Sequence, residues 1–307
     1  MKGNRIPPFL HKGDKIGLVA TARHIDSESL ARGIELIEDK GFRVRKALNL
    51  FERDSQFAGT DETRAAEFQK MLDDPQIKAV LCVRGGYGTV RMVDMIDWTT
   101  FNENPKWICG YSDVTVLLNH LGENLGVAAL HSSMPVSFGM NTSEAVDSLF
   151  DLLKGNEILE YPADVEREGS TTGEITGGNL SVIYSQLGSK TQIHTQGKIL
   201  FLEDVDEHLY HVDRMIQGLK RAGMFEGIAG LIVGGMTQMR DNTVEYGFDF
   251  DNPFGYSIKE IIMPNVPEDV PVCFDVPVGH QNDNRALVFN ASLNVKMSDA
   301  RLVVRFS

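Results

Sequence analysis

The amino-acid sequence predicts an α/β protein built on a parallel sheet, and three observations lead there. Short runs at residues 15–20, 79–83, 107–109 and 127–130 are apolar along most of their length, as strands covered on both faces are. Between most of these runs lie segments with apolar residues at helical spacing, so strand and helix alternate as crossover connections require. Polar clusters, most of them glycine-bearing, follow several of the strands, where ligands sit in open α/β sheets.

The first strand is KIGLVA, residues 15–20. A helix over 27–40 sets Leu30, Ile34, Leu36 and Ile37 broadly on one side, and Gly41 stops it. A short strand follows at 42–45. Gly59-Thr60-Asp61-Glu62 opens a second helix, with Thr60 or Asp61 as its cap and Ala65, Phe68, Met71 and Leu72 as its core face. The strand at 79–83 runs straight into Arg84-Gly85-Gly86-Tyr87-Gly88, then a helix bearing Val90, Met92, Val93, Met95 and Ile96. Trp107-Ile108-Cys109 is the next strand. It meets the tight turn Gly110-Tyr111-Ser112-Asp113, and then Val114, Leu117, Leu118 and Leu121 at helical spacing. Another strand is expected at 127–130.

Beyond residue 135 the pattern changes. A helix over 144–153 precedes a polar stretch through Glu166, Gly169, Gly173, Gly177 and Gly178. This places a linker at 141–178 between a first domain, 1–140, and a second, 179–307. The second domain begins with a helix start at Asn179. A strand at 198–202 ends in Glu203-Asp204, and a helix over 211–222 turns Val212, Met215, Ile216 and Leu219 inward. Strands follow at 230–235 and 272–276, and apolar alternation in the tail makes the end β.

Composition narrows the function classes. The 307 residues carry 30 basic and 43 acidic side chains, a net charge of −13, which argues against a nucleic-acid or anionic-membrane partner. No window has the apolar run of a membrane helix, and the opening MKGNRIPPFLHKGDKIGLVA has no apolar signal core; the expectation is a cytoplasmic protein. Cys82, Cys109 and Cys273 each lie in an apolar run, which suits buried free thiols better than disulfides or a metal site.

Ser112 stands between a buried strand and a helix, where a nucleophile elbow holds its hydroxyl and where the N–H of Asp113 faces a developing oxyanion. The competing role for Asp113 is an ordinary helix cap. The glycines of Arg84-Gly85-Gly86-Tyr87-Gly88 leave backbone N–H groups open to an anion. No Gly-Lys-Ser/Thr follows them, and the Gly-x-Gly-x-x-Gly spacing is absent, so neither a Walker loop nor a dinucleotide fingerprint fits. His280, in GHQNDNR just after a strand, is placed to take a serine proton, in competition with His11, His24, His120, His131, His194, His208 and His211. No ligand spacing around His208 and His211 supports a metal. The orienting carboxylate is one of Glu203, Asp204, Asp206 and Glu207. Strand alternation sets Ile199, Phe201 and Glu203 on one side and Leu200, Leu202 and Asp204 on the other. A salt bridge to Arg214 or a helix cap is the structural alternative for Glu203.

Taken in order, GDKIGLVA, FAGTDETRAAEF, VRGGYG, ICGYSD, GGNL, FLEDVDEHLYHVDRMI and VGHQ resemble the blocks of the LD-carboxypeptidase family of serine peptidases, nearly end to end. By that resemblance the triad falls on Ser112, Glu203 and His280, and the oxyanion hole on the N–H groups of Gly86 and Asp113. Apart from the resemblance, a carboxypeptidase must recognise the free carboxylate of its substrate, and Arg84, directly before Gly85-Gly86, is the candidate for it, with Gly85 and Tyr87 beside it; an arginine that pairs with an acid and holds the turn is the structural alternative. The resemblance implies a flavodoxin-like N-terminal domain with the serine and an α+β C-terminal domain with a β-barrel-like core. It further implies a homodimer, a cytoplasmic murein tetrapeptide or related muropeptide as substrate, release of terminal D-alanine in peptidoglycan recycling, and no cofactor. The chain departs from the family at Ala20-Thr21-Ala22-Arg23, where a proline-serine pair is commoner, and only loosely matches at 281–290. Two rivals stand beside this reading. One is the related immunity peptidase that cleaves a peptidyl-nucleotide antibiotic, whose branch tends to carry an asparagine-rich turn in place of RGGYG. The other is a catalytically silent α/β protein that binds an anion at 85–88.

Overall fold

The structure is a computed structural model and describes residues 5–307. In the first half the strands are β1 (Lys15–Val19), β2 (Arg43–Lys46), β3 (Ile77–Cys82), β4 (Trp107–Gly110) and β5 (Ala129–His131). The helices between them are α1 (Ser27–Asp39), α2 (Asp61–Asp73), α3 (Thr89–Met92), α4 (Thr99–Glu103) and α5 (Thr115–His120). The Asp26 carboxylate caps α1 through the Ser29 N–H at 2.7 Å, and the Thr60 hydroxyl caps α2. The single helix expected over 90–96 is one turn of α3 followed by a 3-10 turn, Val93–Met95.

Strands β1 to β5 lie parallel in the order 2-1-3-4-5, the flavodoxin-like order. The direction of winding reverses between β1 and β3, so a crevice opens beyond their carboxyl ends. Arg23, the turn at 84–88 and Ser112 follow β1, β3 and β4 at that edge.

The second half holds α6 (Ser143–Leu153), β6 (Ile158–Pro162), β7 (Asp164–Arg167), β8 (Gly169–Asn179), α7 (Leu180–Ser185), β9 (Ile199–Val205), α8 (Leu209–Arg221) and β10 (Gly230–Thr237). Then come α9 (Ile258–Ile262), β11 (Val272–Phe274), β12 (Leu287–Phe289), β13 (Ser292–Ser298) and β14 (Arg301–Phe306). A second sheet runs β6-β14-β13-β8-β9-β10-β11-β7, with β8 to β11 parallel and the flanking strands antiparallel. Its end strands are not hydrogen-bonded to each other, though β7 comes back against β13 and β14. The barrel-like core expected here is this sheet, whose end strand β7 returns against β13 and β14 without closing a barrel.

Two further differences concern the division of the chain. Residues 141–178, expected as a linker, form α6, β6, β7 and most of β8. Strand β6 alternates exposed and buried residues and β7 is only half covered, so neither shows an apolar run in the sequence. Strand β12 leaves the second half and pairs antiparallel with β5, setting Leu287 opposite His131.

The core follows the alternation along β9. Ile199 and Phe201 join the large apolar cluster that continues into the first sheet. Leu200 and Leu202 join a smaller cluster with Val212, Met215, Ile216 and Leu219 of α8. Glu203 is thereby turned toward the first sheet, and Asp204 toward the helices. Cys82, Cys109 and Cys273 are buried free thiols, as expected, and burial pushes each thiol pKa well up.

Candidate active site

Strand β4 delivers Ser112 in a left-handed conformation, φ 63°, at the start of a 3-10 turn, Ser112–Val114, that leads into α5. A non-glycine residue is uncommon there, and such strain gathers at functional sites. This is the strand-turn-helix geometry of a nucleophile elbow. The turn after β3 lies against it: a β-carbon on Gly85 would stand 3.2 Å from Ser112 Oγ. Gly86 has φ 114°, and the Arg23 stem crosses it so closely that a β-carbon would come within 2.2 Å of Arg23 Cδ. Conformation disfavours a side chain at Gly86, and the exposed Arg23 stem would have to move aside for one.

Among the described residues, neither the Gly86 N–H nor the Asp113 N–H donates to a protein acceptor. The Asp113 side chain does cap a helix, but not its own. Its Oδ2 accepts from Thr89 N at 2.8 Å, the first residue of α3, and so ties the glycine turn to the serine turn. Burial raises the Asp113 pKa, against the hydrogen bonds from Thr89.

Glu203 arrives from β9 and His280 from the loop after β11. His280 Nδ1 lies 2.8 Å from Glu203 Oε2, and the His280 N–H donates to the same oxygen at 3.2 Å. The approach depends on Gly279, φ 114°, where a β-carbon would stand 2.7 Å from Oε2. Thr237 Oγ1 donates to the His280 carbonyl at 2.8 Å and fixes the loop from β10. Glu203 is fully buried. Burial disfavours its charge, but the imidazoles of His131 and His280 beside it outweigh that and hold its pKa well below the ordinary carboxylate range. Burial likewise opposes a charged His280, yet Glu203, with Asp204 behind it, raises the imidazole pKa above its ordinary value. With Nδ1 committed to a carboxylate, Nε2 is left to exchange a proton.

The serine follows a strand of the first sheet and this pair belongs to the second, and Tyr111 bridges them. Tyr111, the residue before Ser112, lies with its ring centroid 4.8 Å from that of His280. No hydrogen bond joins Ser112 Oγ to His280 among the described residues. The other acids have different partners. Asp204 accepts from Asn179 Nδ2 at 2.8 Å and Ser181 N at 2.9 Å at the start of α7, and its pKa is pushed up to about 6 by burial and by Glu203. Asp206 pairs with Arg240, and Glu207 with His211 at 2.5 Å. Arg214, weighed as a partner for Glu203, lies over the Tyr210 ring at 5.2 Å.

Arg84 is half-buried and donates to the His24 carbonyl at 3.1 Å. Burial and then the neighbouring charge of Arg23 lower its pKa. Tyr87 is 47% exposed at the rim. Sequence reasoning passed over Arg23, whose signal was its place just past β1, and kept His131 only as a rival to His280. His131 ends β5, fully buried, with Nε2 3.9 Å from Glu203 Oε1. Among the described residues, no group of three His, Cys, Asp or Glu is placed to hold a metal ion.

A left-handed serine with two open N–H groups after one sheet, and a buried carboxylate–imidazole pair from the other, suit the class of α/β proteins of peptidase type. The comparisons agree and narrow it. Residues 16–132 match the model of the LD-carboxypeptidase N-terminal domain, and residues 172–295 that of the LD-carboxypeptidase C-terminal domain. The chain belongs to the LD-carboxypeptidase family. It is 34% identical over 249 residues to a Bacillus subtilis protein named "Probable murein peptide carboxypeptidase", covering 76% of each chain. It is 27% identical over 287 residues to the murein tetrapeptide carboxypeptidase of Pseudomonas aeruginosa, covering 89% of this chain and 90% of that one. Among solved structures, the muramoyltetrapeptide carboxypeptidase from Oxalobacter formigenes superposes with TM-score 0.82 at 22% identity, over 94% of this chain and 97% of the other. The microcin C7 self-immunity protein MccF superposes with TM-score 0.85 at 21% identity, over 98% of each chain. These two share the fold. No helix is long and apolar enough to cross a membrane among the described residues.

Proposed function

We propose that the protein is a serine LD-carboxypeptidase that removes the terminal D-alanine from murein tetrapeptide or a related muropeptide. The observation that carries this reading is the left-handed Ser112, set beside the open N–H groups of Gly86 and Asp113 and, through Tyr111, beside the His280–Glu203 pair. Names of relatives at 27–34% identity support the substrate class.

In the proposed reaction, substrate closes the gap between Ser112 and His280, as catalytic hydrogen bonds tighten in a Michaelis complex. His280 Nε2 takes the Ser112 proton as Oγ attacks the carbonyl before D-alanine. The Gly86 and Asp113 N–H groups hold the oxyanion, and Glu203 stabilises the imidazolium. His280 then protonates the leaving amine, and D-alanine departs. Water, deprotonated by His280, releases the acyl group and restores Ser112. Arg84, with Gly85 and Tyr87, binds the substrate end, Arg84 through its charge on the terminal carboxylate. No cofactor takes part. The setting is cytoplasmic peptidoglycan recycling, and the working form is a homodimer.

The immunity-type reading keeps the same machinery and changes the pocket; the likeness to MccF favours it. Offering the protein a murein tetrapeptide and a peptidyl-nucleotide side by side separates the two, with turnover of the tetrapeptide expected. A protein with no catalysis would leave both substrates untouched and Ser112 unlabelled by a fluorophosphonate.

A further inference from the structure

Glu203 uses only half of its carboxylate on His280. Oε2 receives both bonds from His280, at 2.8 and 3.2 Å, while Oε1 is buried without a partner. His131 faces that bare oxygen, Nε2 to Oε1 3.9 Å, and neither of its ring nitrogens has a partner either. So a buried carboxylate oxygen and a buried imidazole nitrogen face each other without a partner, in a molecule whose buried polar groups are otherwise mostly paired. The imidazole is clamped by aromatic rings. Phe289 stacks on it at 5.5 Å, and Phe201 and Tyr111 meet it edge-on at 5.1 and 5.8 Å. Two of these neighbours come from strands already fixed by the fold, β9 and β12, and the third adjoins the serine. A neutral imidazole must carry one N–H, and among the described residues Glu203 Oε1 is the carboxylate oxygen that Nε2 faces.

We propose that His131 is a positioning residue that presents Nε2–H to Glu203 Oε1, so that one carboxylate is held between two imidazoles and its other oxygen is aimed at His280. This inference rests on the serine-peptidase reading above. Such a bond requires the ring to shift within its aromatic clamp until the N–H comes within hydrogen-bond range. The charged and titratable groups facing the pair are Glu203 and Asp204 from β9, Tyr111 beyond β4, and His131 from β5. Without a donor on Oε1, the carboxylate's charge falls more fully on His280 Nδ1–H. That favours the imidazolium and moves the acid limb of reactivity to higher pH.

The test uses the full-length protein and a fluorophosphonate that labels Ser112, so no peptide substrate is needed. Nitrogen-15 NMR of the His131 ring reads its tautomer first. The Nε2–H form is expected, and the Nδ1–H form would overturn the proposal. Labelling rate against pH is then measured for wild type, His131→Phe and His131→Gln. The phenyl ring keeps the packing and lacks a donor, whereas the amide can still donate. The Phe variant should label about tenfold more slowly, with its acid limb raised by roughly half a pH unit, and the Gln variant should recover most of both. If both folded variants keep the wild-type limb and rate, His131 only fills space. If the wild type is not labelled at all, the peptidase reading fails first, and the NMR result still decides where His131 donates.

Discussion

Gly279 and Glu203 are in contact: a single added β-carbon at Gly279 would sit 2.7 Å from Glu203 Oε2, the oxygen that holds His280. The backbone there has φ 114°, which an L side chain rarely adopts. Gly279→Ala should therefore part the carboxylate from the imidazole. The expected outcome is a fall in kcat of about 10^2 or more, because displacing an orienting carboxylate removes much of what a triad contributes. Steady-state kinetics on protein shown by circular dichroism to be folded checks it. Wild-type kcat in the alanine variant would show that this contact has no catalytic weight.

The pH profile follows from the same pair. A general base works when neutral, and Glu203 raises the His280 pKa. The acid limb of kcat/KM should thus lie above the ordinary imidazole value, near 6.5, and activity should fall as pH drops through it. Glu203→Gln removes the charge that favours imidazolium. The limb should move down while the rate falls by the order of 10^3–10^4. Asp206→Asn is the comparison, since Asp206 is an exposed partner of Arg240, and it should cost far less. Equal, small losses at both positions would make Glu203 a structural residue only. Stability has its own sign. Glu203, depressed in the native state, contributes above its unfolded pKa, and that contribution is lost as pH falls through the native value.

Arg84 is the candidate for the substrate's terminal carboxylate. Wild type should prefer a tetrapeptide with a free terminus over its C-terminal amide, and Arg84→Met should erase most of that preference. Retained preference in the variant would assign carboxylate recognition elsewhere. Arg285, near the histidine loop, could also take a carboxylate but is engaged by both oxygens of Asp283 at 2.9–3.2 Å. Arg23, lying over Gly86 with no salt bridge among the described residues, is the next residue to test.

Asp113 joins two turns through its bond to Thr89 N. Asp113→Ala removes a buried acceptor and leaves that N–H unsatisfied, at a cost of about 1–3 kcal/mol. Urea unfolding should show a lower midpoint with an unchanged slope. An unchanged midpoint would mean that the two turns hold without this bond.

Much of the first sheet was legible because its strands are covered on both faces, so β1, β3 and β4 stand out as apolar runs. Strands β6 to β8 were not, because one face of each meets solvent for much of its length and the sequence alternates or turns to threonine and glycine. The three-residue β12 is too short to signal that it pairs with β5 across the molecule. In the site, Ser112 and Glu203 could be read locally, one from a strand-to-helix turn and one from alternation along β9. His131 could not be singled out: its meaning comes from Glu203, 72 positions away in the chain and reached only once β5 and β9 face each other. The cap made by Asp113 was misread for a similar reason. Its helix, α3, precedes it in sequence and meets it only in the fold.

The most direct test of the central claim is mass spectrometry of murein tetrapeptide incubated with the wild-type protein and with Ser112→Ala. Wild type should release D-alanine and leave the tripeptide, and the folded alanine variant should release none above background. Release of D-alanine by Ser112→Ala at the wild-type rate would contradict the account, since no other residue in it serves as the nucleophile.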